Sequence, residues 1–183
     1  PTKGLLASFT LVVLTTCLST PALGAEAPFV HEQMLRSHEG LPAITASDVG
    51  FPTAAQLAHR GRSDGPIVMG YLPYWVSAQN LPWQHLDVLA WFSAEVNSDG
   101  SLEDTHGWGG SGSDALIEAA HAVGAIVVLS ATRFGTEALN ELLSDSAART
   151  NAISSLIGAM VDGGGDGIDI DFEGLGPDNR NQF

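Results

Sequence analysis

The stretch from residue 165 to residue 174, GDGIDIDFEG, places four carboxylates within eight positions of a strand-like segment. A β-strand points alternate side chains to opposite faces, so the segment predicts one acidic face and one apolar face. The acidic face carries Asp169, Asp171 and Glu173, and the apolar face carries Ile168, Ile170 and Phe172. Burying like charges together is costly unless protons are shared, and the crowding raises the pKa of at least one carboxyl. The segment is therefore a candidate for acid/base chemistry.

Calcium binding is an alternative interpretation of the same residues. Counted from Asp162, the segment has the Gly at position 6 and the Glu at position 12 of an EF-hand loop. Position 3 is Gly164, which has no carboxylate, and the usually apolar position 8 is Asp169. A calcium-binding nonapeptide repeat needs an apolar residue where Asp171 stands, and the pattern occurs once rather than in an array. Calcium binding is disfavoured, and an inert acidic edge strand stays as a further alternative.

Short runs of β-branched and aromatic residues predict four strands, at 67–73, 86–93, 125–131 and 167–173. Helical segments separate the later strands: 113–124, with Ser113 as N-cap and Gly124 past the end, then 136–145 and 146–164. This alternation predicts right-handed crossovers and a parallel α/β sheet. Periodicity alone does not distinguish an open doubly wound sheet from a (β/α)8 barrel. Residues 66–183 would supply about half of the roughly 250 residues of such a barrel.

The first 24 residues have the pattern of a secretory signal peptide. Lys3 precedes an apolar run that is short for a membrane span, and small residues follow it. We expect cleavage after Gly24, or after Ala25, and export of the mature protein. Cys17 lies inside the run, so the mature chain would contain no cysteine for disulfides or for zinc ligation. Lipid attachment at Cys17 is an alternative that the bulky Thr16 before it disfavours.

The composition indicates a folded, acidic protein. A hydrophobic content of 44% is sufficient for a core, and 21 acidic against 7 basic residues argue against nucleic-acid binding. Residues 25–65 show no sustained period and are interpreted as a linker or loosely packed lead-in, with His31, His38 and His59 as solvated side chains. The chain begins without Met and ends in DNRNQF, which resembles a developing helix, so we expect a fragment of a longer protein.

Residues 166–173 resemble the DGxDxDxE motif of glycoside hydrolase family 18, the chitinase family. Further likenesses are GYLPYW (70–75), LAWFSAEVNSDGSL (89–102) and VVLSATRFG (127–135), which are similar to the family's first three strands. The resemblance implies a (β/α)8 TIM barrel, with about strands one to four in residues 66–183. The third strand departs from the family's Ser-x-Gly-Gly, since residues 130–133 read SATR. That variant is similar to a bacterial branch with spore-coat and cell-wall members, which leaves the substrate open.

The same resemblance implies a retaining mechanism assisted by the substrate. Glu173 would protonate the glycosidic oxygen, and the substrate's 2-acetamido carbonyl would attack the anomeric carbon. Asp171 would orient the acetamido N–H and stabilise positive charge, while Asp169 would share a proton with Asp171. Asp166, with Gly167 beside it, would fix the start of the strand through hydrogen bonds. No metal and no organic cofactor is implied.

Aromatic residues are candidates for stacking on sugar rings. They are Tyr71, Trp75 and Trp91, together with Trp108 as an exposed subsite residue, and Ser130 of the third strand is a further substrate-binding candidate. Core packing is an open alternative for Trp91, and a loop anchor is one for Trp108. His121 is expected to be structural, whereas His85 and His106 receive no role.

The sequence thus predicts a secreted glycosidase that cleaves β-1,4 links beside N-acetylglucosamine, in chitin or chito-oligosaccharides. The partner would be such a polysaccharide, with no nucleic acid and no membrane span. Two alternatives stay open: an endo-β-N-acetylglucosaminidase acting on peptidoglycan or N-glycans, and a non-catalytic chitinase-like carbohydrate-binding protein. Such binding proteins typically lose the acid, so Glu173 argues against the second.

Overall fold

A four-stranded parallel sheet forms the centre of the protein, whose computed structural model describes residues 29–58 and 65–183. The strands are β1 (Met69–Pro73), β2 (Val88–Glu95), β3 (Ile126–Phe134) and β4 (Gly167–Glu173), and they lie in the order β1-β2-β3-β4. All three neighbouring pairs are parallel, which confirms the predicted α/β sheet. β2 and β3 run two to three residues past their predicted ends.

Helices connect the later strands as the sequence predicts. α3 (Ser111–Val123) joins β2 to β3, and α4 (Thr136–Ser144) and α5 (Ser146–Asp162) join β3 to β4. Gly124 ends α3 in the left-handed conformation, with φ 80°. The predicted N-cap of α3 is wrong, because the helix begins earlier and Gly110 takes that position. The Ser113 hydroxyl donates to the Gly110 carbonyl inside the first turn instead.

Two clusters of buried apolar side chains form the core, and both join the sheet to these helices. The larger cluster joins Trp91 and Leu129 of the sheet to Leu116 of α3. The smaller one joins Leu139 of α4 and Leu156 of α5, and Ile168 and Phe172 from the apolar face of β4 pack against it. The apolar face of β4 therefore meets the helices, and its acidic face points to the opposite side of the sheet.

Residues 29–58 pack against the rest of the protein, with His31 on Phe92 of the sheet and Ala46–Asp48 on α3, so the expectation of a loosely packed segment is corrected. They contain α1 (Val30–Ser37) and α2 (Ala54–Leu57), with a 3₁₀ helix between them at Ala46–Asp48. Leu35 of α1 and Ile44 are buried, and the Ile44 amide donates to the Tyr74 carbonyl at 2.8 Å. Single anchoring residues and backbone hydrogen bonds hold this segment, which explains why no hydrophobic period reveals it.

Two of the sequence-based interpretations fall outside the described residues. These are the signal peptide at 1–24, which contains Cys17, and the side chain of His59. Among the helices that the structure describes, none combines the length and the apolar character that a membrane span requires.

Candidate active site

The acidic face of β4 lies beside β3, and the register of the two strands fixes its neighbours. Asp169 pairs with Ser130, and Asp171 pairs with Thr132 one layer further along the strand. Glu173 is the last residue of β4. The three carboxylates thus form a row along one face of the sheet, as the alternation predicts. Ile170 on the other face is 43% exposed, so the apolar face is buried only in part.

Asp169 is held by hydroxyl groups from two other strands. Its Oδ2 atom accepts hydrogen bonds from Tyr71 Oη of β1 at 2.9 Å and from Ser130 Oγ of β3 at 3.0 Å. Burial, the hydrogen bond to Asp169 and the charges of Asp169 and Asp171 together raise the pKa of Tyr71 to about 12. Tyr71 therefore stays a protonated donor, and the two hydroxyls fix the position of the Asp169 carboxylate.

Asp171 and Glu173 have pKa values above their ordinary range. Burial is the main cause of the raised pKa of Asp171, and the charge of Asp169 adds to it. Burial also raises the pKa of Glu173, with added repulsion from Asp171 and Glu32. In both cases His31 opposes the shift because it stabilises the ionised carboxylate. A carboxyl that keeps its proton toward neutral pH is suited to donate it to a leaving group.

His31 of α1 lies directly on these two carboxylates. Its Nδ1 atom is 2.7 Å from Asp171 Oδ2 and 3.2 Å from Glu173 Oε1. The ring also packs edge-on against Phe92 at 5.4 Å and tilted against Tyr71 at 5.8 Å. The interpretation of His31 as a solvated side chain is therefore wrong. Leu35, four residues later on the same helix, is buried, and residues four apart share a helix face, but a single apolar residue does not define that face in the sequence.

The structure buries two residues that were predicted to contact sugar. Trp91 is fully buried and belongs to the core cluster on the helical side of the sheet, so its assignment as a sugar-stacking residue is corrected to core packing. Ser130 is also fully buried, and its hydroxyl donates a hydrogen bond to Asp169 instead of facing an open surface. Ser130 is a positioning residue for the carboxylate row.

Trp108 is a loop anchor and not an exposed subsite residue, which corrects its preferred assignment. Only 8% of it is exposed, and its indole Nε1 donates to the Ala159 carbonyl of α5 at 2.8 Å. The ring fills the space above Gly163 and Gly165, where an added Cβ would come within 2.2 Å and 2.6 Å of ring atoms. Because these two glycines have no side chain, the indole can pack directly on the turn between α5 and β4.

The remaining predicted site residues lie at the two ends of the sheet. Trp75 stacks on His38 at 4.3 Å with an interplanar angle of 10°, so His38 is not a free solvated side chain either. Asp166 accepts hydrogen bonds from the Val127 amide at 2.7 Å and from His121 Nε2 at 2.9 Å. Asp166 and the adjacent Gly167 thus tie the start of β4 to β3 and α3.

Comparison with known proteins finds likeness at the level of structure. No model of a known protein family matches the chain, and no curated protein matches it. A chitinase from Bacteroides thetaiotaomicron superposes with a TM-score of 0.56 at 22% identity, over 63% of this chain and 39% of that chain. The chain therefore has part of the fold of a chitinase barrel.

Two further solved structures agree with this assignment. The chitinase domain of a spore coat protein from Clostridium difficile gives a TM-score of 0.52 at 19% identity, over 67% of this chain and 37% of that chain. A chitinase from Rhizomucor miehei gives 0.51 at 24% identity, over 58% and 28%. The chain spans less than two fifths of the length of each. The likeness confirms the barrel-type fold that the resemblance to glycoside hydrolase family 18 implies.

Proposed function

We propose that the protein is a glycosidase that hydrolyses β-1,4 links beside N-acetylglucosamine, in chitin or chito-oligosaccharides. The observation that carries the proposal is the row of three carboxylates in different environments. Asp169 is fixed by two hydroxyls, while Asp171 and Glu173 have raised pKa values. A carboxyl with a raised pKa can act as a general acid, and a neighbouring carboxylate can stabilise positive charge that develops on the sugar.

Glu173 is the proposed general acid. It gives its proton to the glycosidic oxygen as the bond from that oxygen to the anomeric carbon breaks. The acetamido carbonyl oxygen of the same sugar forms a new bond to the anomeric carbon, and the leaving sugar departs with the proton. Glu173, now ionised, takes a proton from water as the water oxygen attacks that carbon and displaces the acetamido oxygen. Two displacements leave the configuration retained.

Asp171 is the proposed partner of the acetamido group, and Asp169 supports it. The Asp171 carboxylate accepts the acetamido N–H, which orients the carbonyl for attack and stabilises the positive charge of the cyclic intermediate. Tyr71 and Ser130 hold Asp169 at fixed distances, and Asp169 in turn acts on Asp171 through its charge. His31 contacts both working carboxylates, so the sugar must displace its ring to reach them.

Export is part of the proposal and rests on residues 1–24 of the sequence, whose pattern is that of a signal peptide. A polymer such as chitin is met outside the cell, so a secreted enzyme is consistent with the proposed substrate.

The experiment uses the full-length protein with chitopentaose in its fully N-acetylated and fully deacetylated forms. Product analysis by mass spectrometry should show cleavage of the acetylated oligomer only, because the deacetylated one lacks the internal nucleophile. Equal cleavage of both would rule out participation by the acetamido group. Binding of the acetylated oligomer without any cleavage would instead favour a carbohydrate-binding protein.

A further inference from the structure

We propose that His31, Asp171 and Glu173 form a binding site for a zinc ion, and that the bound ion inhibits the enzyme. His31 Nδ1 lies 2.7 Å from Asp171 Oδ2 and 3.2 Å from Glu173 Oε1. One potential ligand atom from each residue lies within 4.8 Å of the other two. Three side chains from two distant segments therefore converge on one point.

The ligand set is chemically suited to zinc. Zinc binds imidazole nitrogen and carboxylate oxygen at about 2.0–2.2 Å, so tetrahedral ligand atoms lie about 3.4 Å apart. The two distances from His31 Nδ1, 2.7 Å and 3.2 Å, lie within about 0.7 Å of that spacing. Calcium and magnesium prefer sites made of oxygen alone, whereas one imidazole with two carboxylates favours zinc. Three protein ligands leave the fourth position of the ion open.

A second observation concerns the carboxylate of Glu173. Its Oε1 atom faces His31, while its buried Oε2 atom has no hydrogen-bond partner among the described residues. A buried carboxylate oxygen without a partner is costly, and a cation that Glu173 binds through both of its oxygens would stabilise it. The surroundings are also acidic, because Asp169 acts on Asp171 and Glu32 acts on Glu173 through their charges.

The contacts of His106 show why the His31 arrangement differs from an ordinary ion-pair cluster. His106 also meets two carboxylates, with Nε2 2.6 Å from Glu95 and Nδ1 3.5 Å from Asp104. These contacts use opposite ring nitrogens, so the two carboxylates cannot meet on one ion. Across residues 29–58 and 65–183, the His31 cluster is the one group of three such ligands that converges.

Inhibition rests on the proposed function, whereas zinc binding does not. An ion held by Asp171 and Glu173 removes both proposed working carboxylates and keeps α1 fixed over them. The sugar and the ion therefore compete for the same groups.

Zinc affinity of the purified full-length protein is measured by competition with a chromophoric zinc chelator. The wild type and the control His106→Ala should each bind one equivalent of zinc with the same affinity. The affinity of His31→Ala for zinc should be at least tenfold lower. Asp171→Asn, which removes a second ligand at nearly constant volume, should weaken binding similarly, and circular dichroism checks that each variant is folded. Unchanged affinity in folded His31→Ala, or equally tight binding of Ca²⁺, would overturn the site.

Hydrolysis of N-acetylated chitopentaose gives the second readout. Zinc at saturating concentration should inhibit the wild type and His106→Ala, while His31→Ala should need at least tenfold more zinc for the same inhibition. Zinc binding without inhibition would overturn the inhibitory role. A protein that cleaves nothing would contradict the proposed function, and the chelator competition would still decide whether the site exists.

Discussion

Tyr71 of the first strand donates a hydrogen bond to Asp169 of the fourth strand at 2.9 Å, across 98 residues of sequence. Ser130 of the third strand donates to the same oxygen at 3.0 Å. The row of carboxylates is thus positioned by strands that the sheet brings together, and not by β4 alone. The charge of Asp169, fixed in this way, contributes to the raised pKa of Asp171.

Tyr71→Phe removes one of these two donors and keeps the aromatic ring. We expect kcat for N-acetylated chitopentaose to fall about tenfold, which corresponds to the loss of a contribution of about 1.4 kcal/mol in the transition state. Steady-state kinetics measure this effect. Tyr74→Phe is the matched control, because Tyr74 donates only to the His38 carbonyl at 3.3 Å. Equal losses in both variants would contradict a specific role for Tyr71.

His31→Ala removes the imidazole that stabilises the ionised forms of Asp171 and Glu173. Both pKa values lie above the ordinary range, and His31 lowers them, so its loss should raise them further. The alkaline limb of the profile of kcat/KM against pH should move to higher pH, since this profile reports the free enzyme. His121→Ala is the control, because its ring contacts Asp166 instead. A chelator excludes zinc from both assays, and a shift to lower pH would contradict the role of His31.

Glu173→Gln should change the stability of the protein in a manner that depends on pH. In the folded protein the pKa of Glu173 is raised above its ordinary value of 4.5. Below that value both states are protonated, and as the pH rises through the raised pKa the folded state loses stability relative to the unfolded state. The uncharged Gln avoids this loss, so the variant should melt at a higher temperature than the wild type at pH 7. The difference should vanish below about pH 4, and a lower melting temperature at pH 7 would contradict a raised pKa.

Trp108→Ala should affect stability and not sugar binding. Removing a buried aromatic ring costs about 3–5 kcal/mol, which corresponds to a decrease in melting temperature of roughly 10 °C. The KM of the folded variant should stay the same, because Trp108 faces α5. Trp108→Phe keeps most of the ring but loses the hydrogen bond to Ala159, so its melting temperature should fall less. An unchanged melting temperature with a raised KM would restore the subsite role.

The strands were predictable from their short runs of β-branched and aromatic residues, and the acidic face of β4 was predictable because it depends on local alternation. Asp169, Asp171 and Glu173 follow from the two-residue period alone. The face that carries Trp91 was not predictable, since β2 is apolar on both faces, as parallel strands usually are. Alternation places Trp91 and Phe92 on opposite faces of β2, but it does not indicate which of the two faces the helices.

The contacts of His31 were not predictable for a different reason. They join residues 140 positions apart, and the helix that carries His31 has a single buried residue to indicate its inner face. The burial of Trp108 likewise depends on Gly163 and Gly165, which leave space for its ring. Two glycines in a turn do not indicate in the sequence that a distant aromatic ring packs on them.

The most direct test of the proposed function is hydrolysis of N-acetylated chitopentaose by full-length wild type and Glu173→Gln. The substitution keeps the size of the side chain and removes the proton that the leaving group requires. General acid catalysis contributes about 100-fold to 10,000-fold, so the variant should be slower by at least about 100-fold while still binding the oligomer. Hydrolysis by Glu173→Gln at the rate of the wild type would contradict the assignment of Glu173 as the catalytic acid.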